Sequence, residues 1–436
     1  MMGGRVRFAA TGRALRHRNF KLFFVGQLIS VTGTWMQSLA LGWLLGTLVG
    51  WDTAIVYIGL LGVVQFMPVM ILGLFGGIIA DVWPKKQTVI ATQLAAGLLA
   101  LALGVLDYTH TVAVWHIFLL AILLGLVNAV DMPARQSFVV EMVGHDDVAN
   151  AVALNSAVFN GARIVGPAIG GVLISVLGTS LCFILNGLSY GAVVIGLLAM
   201  RDADLVPAAR LAMPRTVSAV RENLAEGIRY VWETPVVLLA IGVIFFVSVF
   251  GMNFNVVLPV LAANVLKVGS GGYGVLYAAM GAGALTSALV VATFRRPSVK
   301  VLLGGGLILG IAELFLAATT SYPVAVVATY ACGVGAIATA ATANSLVQIA
   351  VPGALRGRVM AVYSTVFAGS SPIGNGLTGA VGGMAGTAVA LAAGGVVTVI
   401  AQTVAAVAVI RGKVPGTGTP VGTSTAGEPP RIAPAG

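Results

Sequence analysis

The sequence predicts an all-α integral membrane protein, with twelve transmembrane helices arranged as two pseudo-symmetric six-helix bundles. Three observations carry that reading. The 436 residues are 58% hydrophobic and 9% charged, whereas a soluble chain has about 25% charged residues. Divided at charged or Pro/Gly-rich breaks, the apolar runs form twelve stretches, each near or above the roughly 20 residues a helix needs to cross a bilayer. The stretch from Asn150 to Gly171, NAVALNSAVFNGARIVGPAIGG, returns without gaps 208 residues later, from Arg358 to Gly379, as RVMAVYSTVFAGSSPIGNGLTG. Ala153, Ser156 and Phe159 fall on Ala361, Ser364 and Phe367, and Gly161, Gly166 and Gly171 fall on Gly369, Gly374 and Gly379. A second half repeating the first in the same order explains the match; coincidence among abundant Ala, Gly and Val is the alternative.

The spans fall at 20–48, 54–80, 88–107, 113–134, 148–177, 181–200, 236–264, 273–294, 300–319, 323–350, 357–385 and 388–411. Charge placement tests the number. With both termini in the cytoplasm, all but two of the 24 lysines and arginines fall at the termini or in alternate loops, as the positive-inside rule requires. The exceptions are Lys267, in an outer loop, and Arg163, within span five. One helix more or fewer would scatter the bias. The net charge of +10 therefore reports topology and contact with anionic lipid, not nucleic-acid binding. The expected organisation is a first bundle at 1–200, a cytoplasmic linker at 201–235, a second bundle at 236–412 and a disordered Pro/Gly/Thr-rich cytoplasmic tail at 413–436. The expected location is the cytoplasmic membrane.

Taken in order, the amino-terminal segment is basic and lacks the cleavage site of a signal peptide; Phe8 to Lys21 reads as a short interfacial helix. Span one carries Gln27, Ser30, Thr34 and Gln37 on one stripe by the three–four helical step, facing either a neighbouring helix or a cavity. Span two ends in GGIIADVWPKKQ, where Gly77, Ala80, Asp81, Lys85 and Lys86 resemble the loop G-x-L-A-D-R-x-G-R-R/K between the second and third helices of the major facilitator superfamily. Val82 and Pro84 depart from that pattern. Asp81 at the membrane edge suits the positive end of a helix, with the start of span eleven near 357–360 as its target, which would make the loop a gate. A solvated turn with lysines that stop translocation is the alternative.

Span four ends in NAVDMPARQSFVVEMV, which puts Asn128, Asp131 and Arg135 on one face, with Asp131 and Arg135 an i,i+4 pair. Together with RNFKLFFVGQLISVTGTWMQ in span one, these residues look like the superfamily branch of enterobactin-type siderophore exporters and macrolide-type drug exporters. The resemblance covers most of 15–200 and fades after the linker; the Arg that many drug:proton antiporters carry inside span four is missing. Gly161, Gly166, Pro167, Gly170 and Gly171 in span five resemble the glycine–proline motif of the superfamily's antiporters. Gly166 and Gly170 permit close helix approach and Pro167 removes a backbone donor, giving either a hinge or a packing surface.

Arg163 lies about 20 Å along its helix from Asn150 at about 1.5 Å per residue, well inside the hydrocarbon core. A buried cation is a functional-site hypothesis by default. It would receive an anionic part of a substrate, or pair with Asp131, Glu141 or backbone carbonyls. The linker segment SAVRENLAEGIRYVWETP has Val220, Leu224, Ile228 and Val231 on one face and reads as an amphipathic helix on the membrane surface. Asn160, Asn253, Asn255, Asn344 and Gln348 join Gln27, Gln37, Asn128 and Arg163 as cavity candidates. Asp131 and Glu313 are the candidates for proton coupling, with a structural hydrogen bond as the alternative for Glu313.

No cofactor or metal site emerges. Cys182 and Cys332 are too few for a metal cluster, and no G-x-x-x-x-G-K-[ST] is present for nucleotide phosphates. A membrane-embedded enzyme is disfavoured by the lack of clustered catalytic groups; it and a non-transporting receptor are the alternatives of another class. The resemblance implies a monomeric secondary active exporter of a small hydrophobic or amphipathic molecule, drug- or siderophore-like, working by proton antiport with alternating access. A uniporter or importer of a small metabolite is the alternative.

Overall fold

A computed structural model describes residues 12–206, 217–294 and 297–412, leaving aside the side chains of 73–82, 217–223 and 354. Among these residues the chain is all helical. Ten helical segments are long and apolar enough to cross a membrane. One of them, Val114–Leu177, crosses twice, because its backbone leaves helical dihedrals at Gly144 (φ 69°, ψ 174°). Contacts along span one (Arg18–Val49) show the reversal. Ile117 and Ala121 lie by Leu41, and Arg135 by Gln27; beyond the kink Asn150 lies by Ala14 and Gly166 by Trp35. Span four thus runs against span one and span five runs with it. Gly353–Ala385 makes the remaining crossing, its hydropathy diluted by Gly, Ser and Thr. The total is twelve.

The other spans are Trp51–Val82 (two), Lys85–Tyr108 (three), Thr179–Leu198 (six), Gly269–Thr293 (eight), Val299–Ala318 (nine), Tyr322–Ala350 (ten) and Thr387–Ile410 (twelve). Span seven is broken. It comprises Pro235–Phe250, a gap at 251–253, Phe254–Val260 and a π-helical turn Leu261–Val265. The offset of 208 holds in the fold: Val114 and Tyr322 open spans four and ten, Leu177 and Ala385 close spans five and eleven, and Thr179 and Thr387 open spans six and twelve.

Span four continues past the expected residue 134 as helix to 143 because its end is packed. Phe138, Val139, Met142 and Val143 are buried in a cluster with Phe20, Phe23 and Val89. Where water reaches that end, each such side chain contributes about 1.5–3 kcal/mol; inside lipid that driving force is gone and close packing replaces it. The expected interfacial helix over Phe8 to Lys21 differs as well. Its described part is one 3-10 turn, Arg13–Arg16, before span one begins at Arg18. The turn is held by tertiary bonds: Asp147 pairs with Arg13 and lies 2.9 Å from His17 Nε2, and the Ala14 N–H donates to Asn150 Oδ1 at 2.9 Å.

The linker helix, Val217–Glu233, docks on the second half rather than only lying on a surface. Gly227 meets the Arg358 carbonyl, Arg358 pairs with Glu226, Tyr230 donates to the Ala350 carbonyl at 3.2 Å, and Val231 is buried. Leu224, Ile228 and Trp232 form the exposed stripe. Val220 lies outside the described side chains, and the tail 413–436 outside the described residues.

Candidate functional site

The two halves meet along two crossed helix pairs, span five on span eight and span two on span eleven. Glycine makes both contacts possible. A Cβ on Gly171 would sit 2.7 Å from the Gly274 Cα, and one on Gly59 would sit 2.8 Å from the Gly379 Cα. No real side chain fits such gaps. Gly171 and Gly379 are repeat-related, so the seal has the pseudo-symmetry of the sequence.

Both contacts lie toward the end of the molecule away from Lys85, Lys86, Arg135, Arg201 and Arg358. Followed toward that basic end, the same two stripes change character. Pro167, Gly171 and Ile174 are buried in span five, as are Asn375, Gly379 and Gly382 in span eleven. Ala153 and Ser156, and likewise Ala361, Ser364 and Ala368, are exposed. The halves are closed at the far end and parted at the basic end.

Between them is a cavity of about 250 Å³. Its walls come from both halves: Trp35, Gln65 and Arg163 from the first, and Asn253, Asn255, Tyr277 and Asn375 from the second. Asn253 sits at the break in span seven and donates to the Val249 carbonyl at 2.6 Å. Span eleven approaches there at Gly374, where a Cβ would meet both Asn253 Oδ1 and the Val249 carbonyl at 2.5 Å.

Arg163 is the charged residue of this wall. Its guanidinium carbon lies 5.1 Å from the centroid of the Trp35 ring, a cation–π distance. Trp35 is in turn set edge-on to Phe159 at 5.5 Å. The Arg163 Nε is buried and has no hydrogen-bond partner, and no carboxylate reaches the guanidinium, among the described residues. A cation at membrane depth costs at least about 2.5–3.5 kcal/mol, and one aromatic face returns only part of that.

The other sequence candidates are placed elsewhere. Gln27 is buried and accepts from Arg135 Nη1 at 2.7 Å; Gln37 accepts from Asn186 Nδ2 at 2.7 Å. Asn128 and Asn344 are half-buried; Gln348 is exposed and donates to Asn344 at 2.9 Å. Asn160 donates to the Ser156 carbonyl at 2.8 Å. None of these six lines the cavity. Arg163, Asn253 and Asn255 do.

Asp131 is buried in a network. It accepts from Thr92 Oγ1 at 2.6 Å and Gln93 Nε2 at 3.0 Å, and it pairs with Arg135. Lys85 and Lys86 are 2.8 Å from Glu141 and 2.6 Å from Asp202. Gly77 and the side chain of Asp81 lie outside the described set. Within the glycine–proline motif, Gly166 and Gly170 pack on Met36 of span one, Gly171 crosses to span eight, and a Cβ on Gly161 would meet nothing within 4 Å. Within Val114–Leu177 the backbone leaves helical dihedrals only at Gly144, between spans four and five, and not at Pro167.

Glu313 is buried in span nine, close to Gly394 of span twelve, and its Oε2 has no partner among the described residues. Thr398 and Gln402, one and two turns along that span, are buried and equally unsatisfied. Thr398 abuts Gly251 at the break in span seven.

Sequence reasoning missed Trp35 and Tyr277. The available signal was their depth: aromatic belts sit at the membrane surfaces, and Trp35 lies midway along its span.

The sequence profile of the transmembrane secretion effector family matches residues 9–426. The staphyloferrin A transporter of Staphylococcus aureus (strain NCTC 8325 / PS 47) is 26% identical over 62% of this chain and 66% of its own length. The multidrug efflux pump Tap of Mycolicibacterium fortuitum is 28% identical over 73% of this chain and 79% of its own. The chain thus spans a little less than two thirds of the first of these relatives. Among solved structures, a point mutant of the peptide transporter POT superposes with a TM-score of 0.70 at 14% identity, covering 90% of this chain and 94% of that one. A bacterial homologue of the human lysosomal transporter Spinster, inward-facing and occupied, gives 0.69 at 15% identity, covering 90% and 96%. These likenesses show the fold. With twelve helical crossings, a cavity between like halves and a family match over nearly its whole length, this chain belongs to the transmembrane secretion effector family, multi-pass membrane transporters of the major facilitator superfamily.

Proposed function

We propose that the protein is a secondary active exporter of small hydrophobic or amphipathic molecules, drug- or siderophore-like, working as a monomer by proton antiport. The observation that carries this reading is the cavity between halves that are sealed at one end by Gly171–Gly274 and Gly59–Gly379 and parted at the other. Alternating access needs that geometry: rigid bundles rock about a midplane site. The basic end is assigned to the cytoplasm by the positive-inside rule, so the cavity here faces the side from which an exporter loads. The names of two relatives, a staphyloferrin A transporter and a multidrug efflux pump, support the substrate class, and the second supports the direction.

Glu313 is assigned the proton ahead of Asp131. Asp131 is committed to three donors in a structural network, whereas one Glu313 oxygen is unengaged beside the break in span seven. Asp81 is assigned to the gate on sequence grounds. The experiment is accumulation of a panel of dyes, antibiotics and siderophores in cells with and without the protein, with and without an uncoupler. Lower accumulation that the uncoupler abolishes is expected. Flux unaffected by the uncoupler would indicate a uniporter, and no difference with any compound would overturn the exporter.

A further inference from the structure

The central cavity holds an electrostatic imbalance that narrows its ligand. Among the described residues that line it, Arg163 alone is charged; Ser38, Gln65, Asn253, Asn255, Ser371 and Asn375 are polar and neutral. The acids described in the spans are turned elsewhere. Asp131 is bound to Arg135, Thr92 and Gln93; Glu141 pairs with Lys85; Asp107 accepts from Thr179; Asp52 is exposed in the first turn of span two; Glu313 lies behind span seven against Gly394. Trp35 covers one face of the guanidinium, which leaves its edge for a ligand. Arginine's planar fork matches a carboxylate bidentately. The same wall offers flat apolar surface, with Trp35 and Phe66 on one side and Tyr277 and Met280 on the other.

We propose that the cavity is selective for amphipathic organic carboxylates: Arg163 receives the carboxylate, the neutral amides of Asn253, Asn255 and Asn375 complete its polar shell, and a planar apolar portion lies against Trp35 and Phe66. A cationic amphiphile of the same shape is repelled, because nothing in the wall neutralises the guanidinium. This deepens the exporter reading and rests on it for the cavity's role as the transport site.

An isosteric trio tests the charge term alone: naphthalene-2-carboxylate, naphthalene-2-carboxamide and 2-naphthylmethylammonium, titrated by calorimetry into the detergent-solubilised full chain. The carboxylate should bind at least tenfold more tightly than the amide, with the ammonium weakest. Arg163→Gln should abolish the preference, and Arg163→Lys should restore part of it by keeping charge without the fork. Wild-type protein that binds the ammonium as well as the carboxylate, or does not bind the carboxylate, overturns the proposal without recourse to any variant. So does an Arg163→Gln protein that folds and retains the full preference. Carboxylate binding through Arg163 by a protein that exports nothing from the panel would keep this inference and sink the exporter. Uncoupler-sensitive export of cationic dyes that ignores Arg163→Gln would do the reverse.

Discussion

The two halves share a fold and place their acids differently. In the first half, Arg163 and Asp107 apart, ion pairs gather at the basic end: Asp131 with Arg135, Lys85 with Glu141, Lys86 with Asp202, and Asp147 with Arg13 and His17. In the second half the buried acid Glu313 has an unengaged oxygen; among the described residues, partnerless buried polar atoms occur in both halves, on Gln27, Gln93 and Arg163 in the first and on Glu313, Thr342, Thr398 and Gln402 in the second. The first half therefore resembles a clamped body, and the second carries a broken span with unengaged polar groups behind it. Repeat-related sequence specified where the helices lie, while the divergent residues divided the labour. The first half supplies rigidity and the cation of the cavity, and the second supplies the break and the unengaged acid.

The largest effect should come from the clamp. Arg135→Ala leaves Asp131 buried without its partner, a defect that costs about 3–5 kcal/mol and should lower the melting temperature in detergent. A second-half ion pair for comparison, broken by Arg358→Ala, is only the exposed one with Glu226, worth about 0–1 kcal/mol. Equal losses from the two would erase the contrast between the halves. Next is the seal. Gly171→Leu forces a side chain into the 2.7 Å gap at Gly274, and overpacking of that kind costs about 1–3 kcal/mol. It should impair transport severely while the protein still inserts; normal flux would show that this contact does not matter to the cycle.

A smaller effect on stability but a specific one on coupling is expected of Glu313→Gln, which keeps shape and removes the exchangeable proton. Export in that variant should lose its response to an uncoupler, and an unchanged response would move the proton elsewhere. The smallest effect concerns Asp147. The hydrogen bond to His17, and then that to Arg13, hold its carboxyl below the usual carboxylate range. Its contribution to stability is therefore complete above about pH 4, the unperturbed value, and fades as pH falls through the lowered one. Asp147→Asn should lower the neutral melting temperature slightly and flatten its acid limb, so that variant and wild type converge as pH falls below about 4.

Spans, their order and the repeat were legible in the sequence because lipid imposes a length, the translocation machinery imposes a charge bias, and an ungapped offset survives in Gly and Ser. Of the candidate cavity residues, Arg163, Asn253 and Asn255 line the void, and Gln27 and Gln37 bond within the first half. A polar stripe has the same spacing whether it faces a neighbour or a void, so helical periodicity could not separate the two. The break in span seven left no trace in hydropathy either. No proline marks 251–253, and the break is fixed by contacts from elsewhere: Leu309 and Thr398 on Gly251, and Gly374 on Asn253. Ion pairs such as Lys85 with Glu141 join residues far apart in the chain and needed the fold to be seen.

The account stands on the far end opening during transport. A Cβ on Gly383 would lie 3.8 Å from the Val56 Cβ, a usual disulfide separation, and the two native cysteines, Cys182 and Cys332, are buried. In a Val56→Cys/Gly383→Cys protein, oxidation should tie span two to span eleven and stop export of the best-transported compound of the panel, with dithiothreitol restoring it. Undiminished export from fully cross-linked protein would contradict the account.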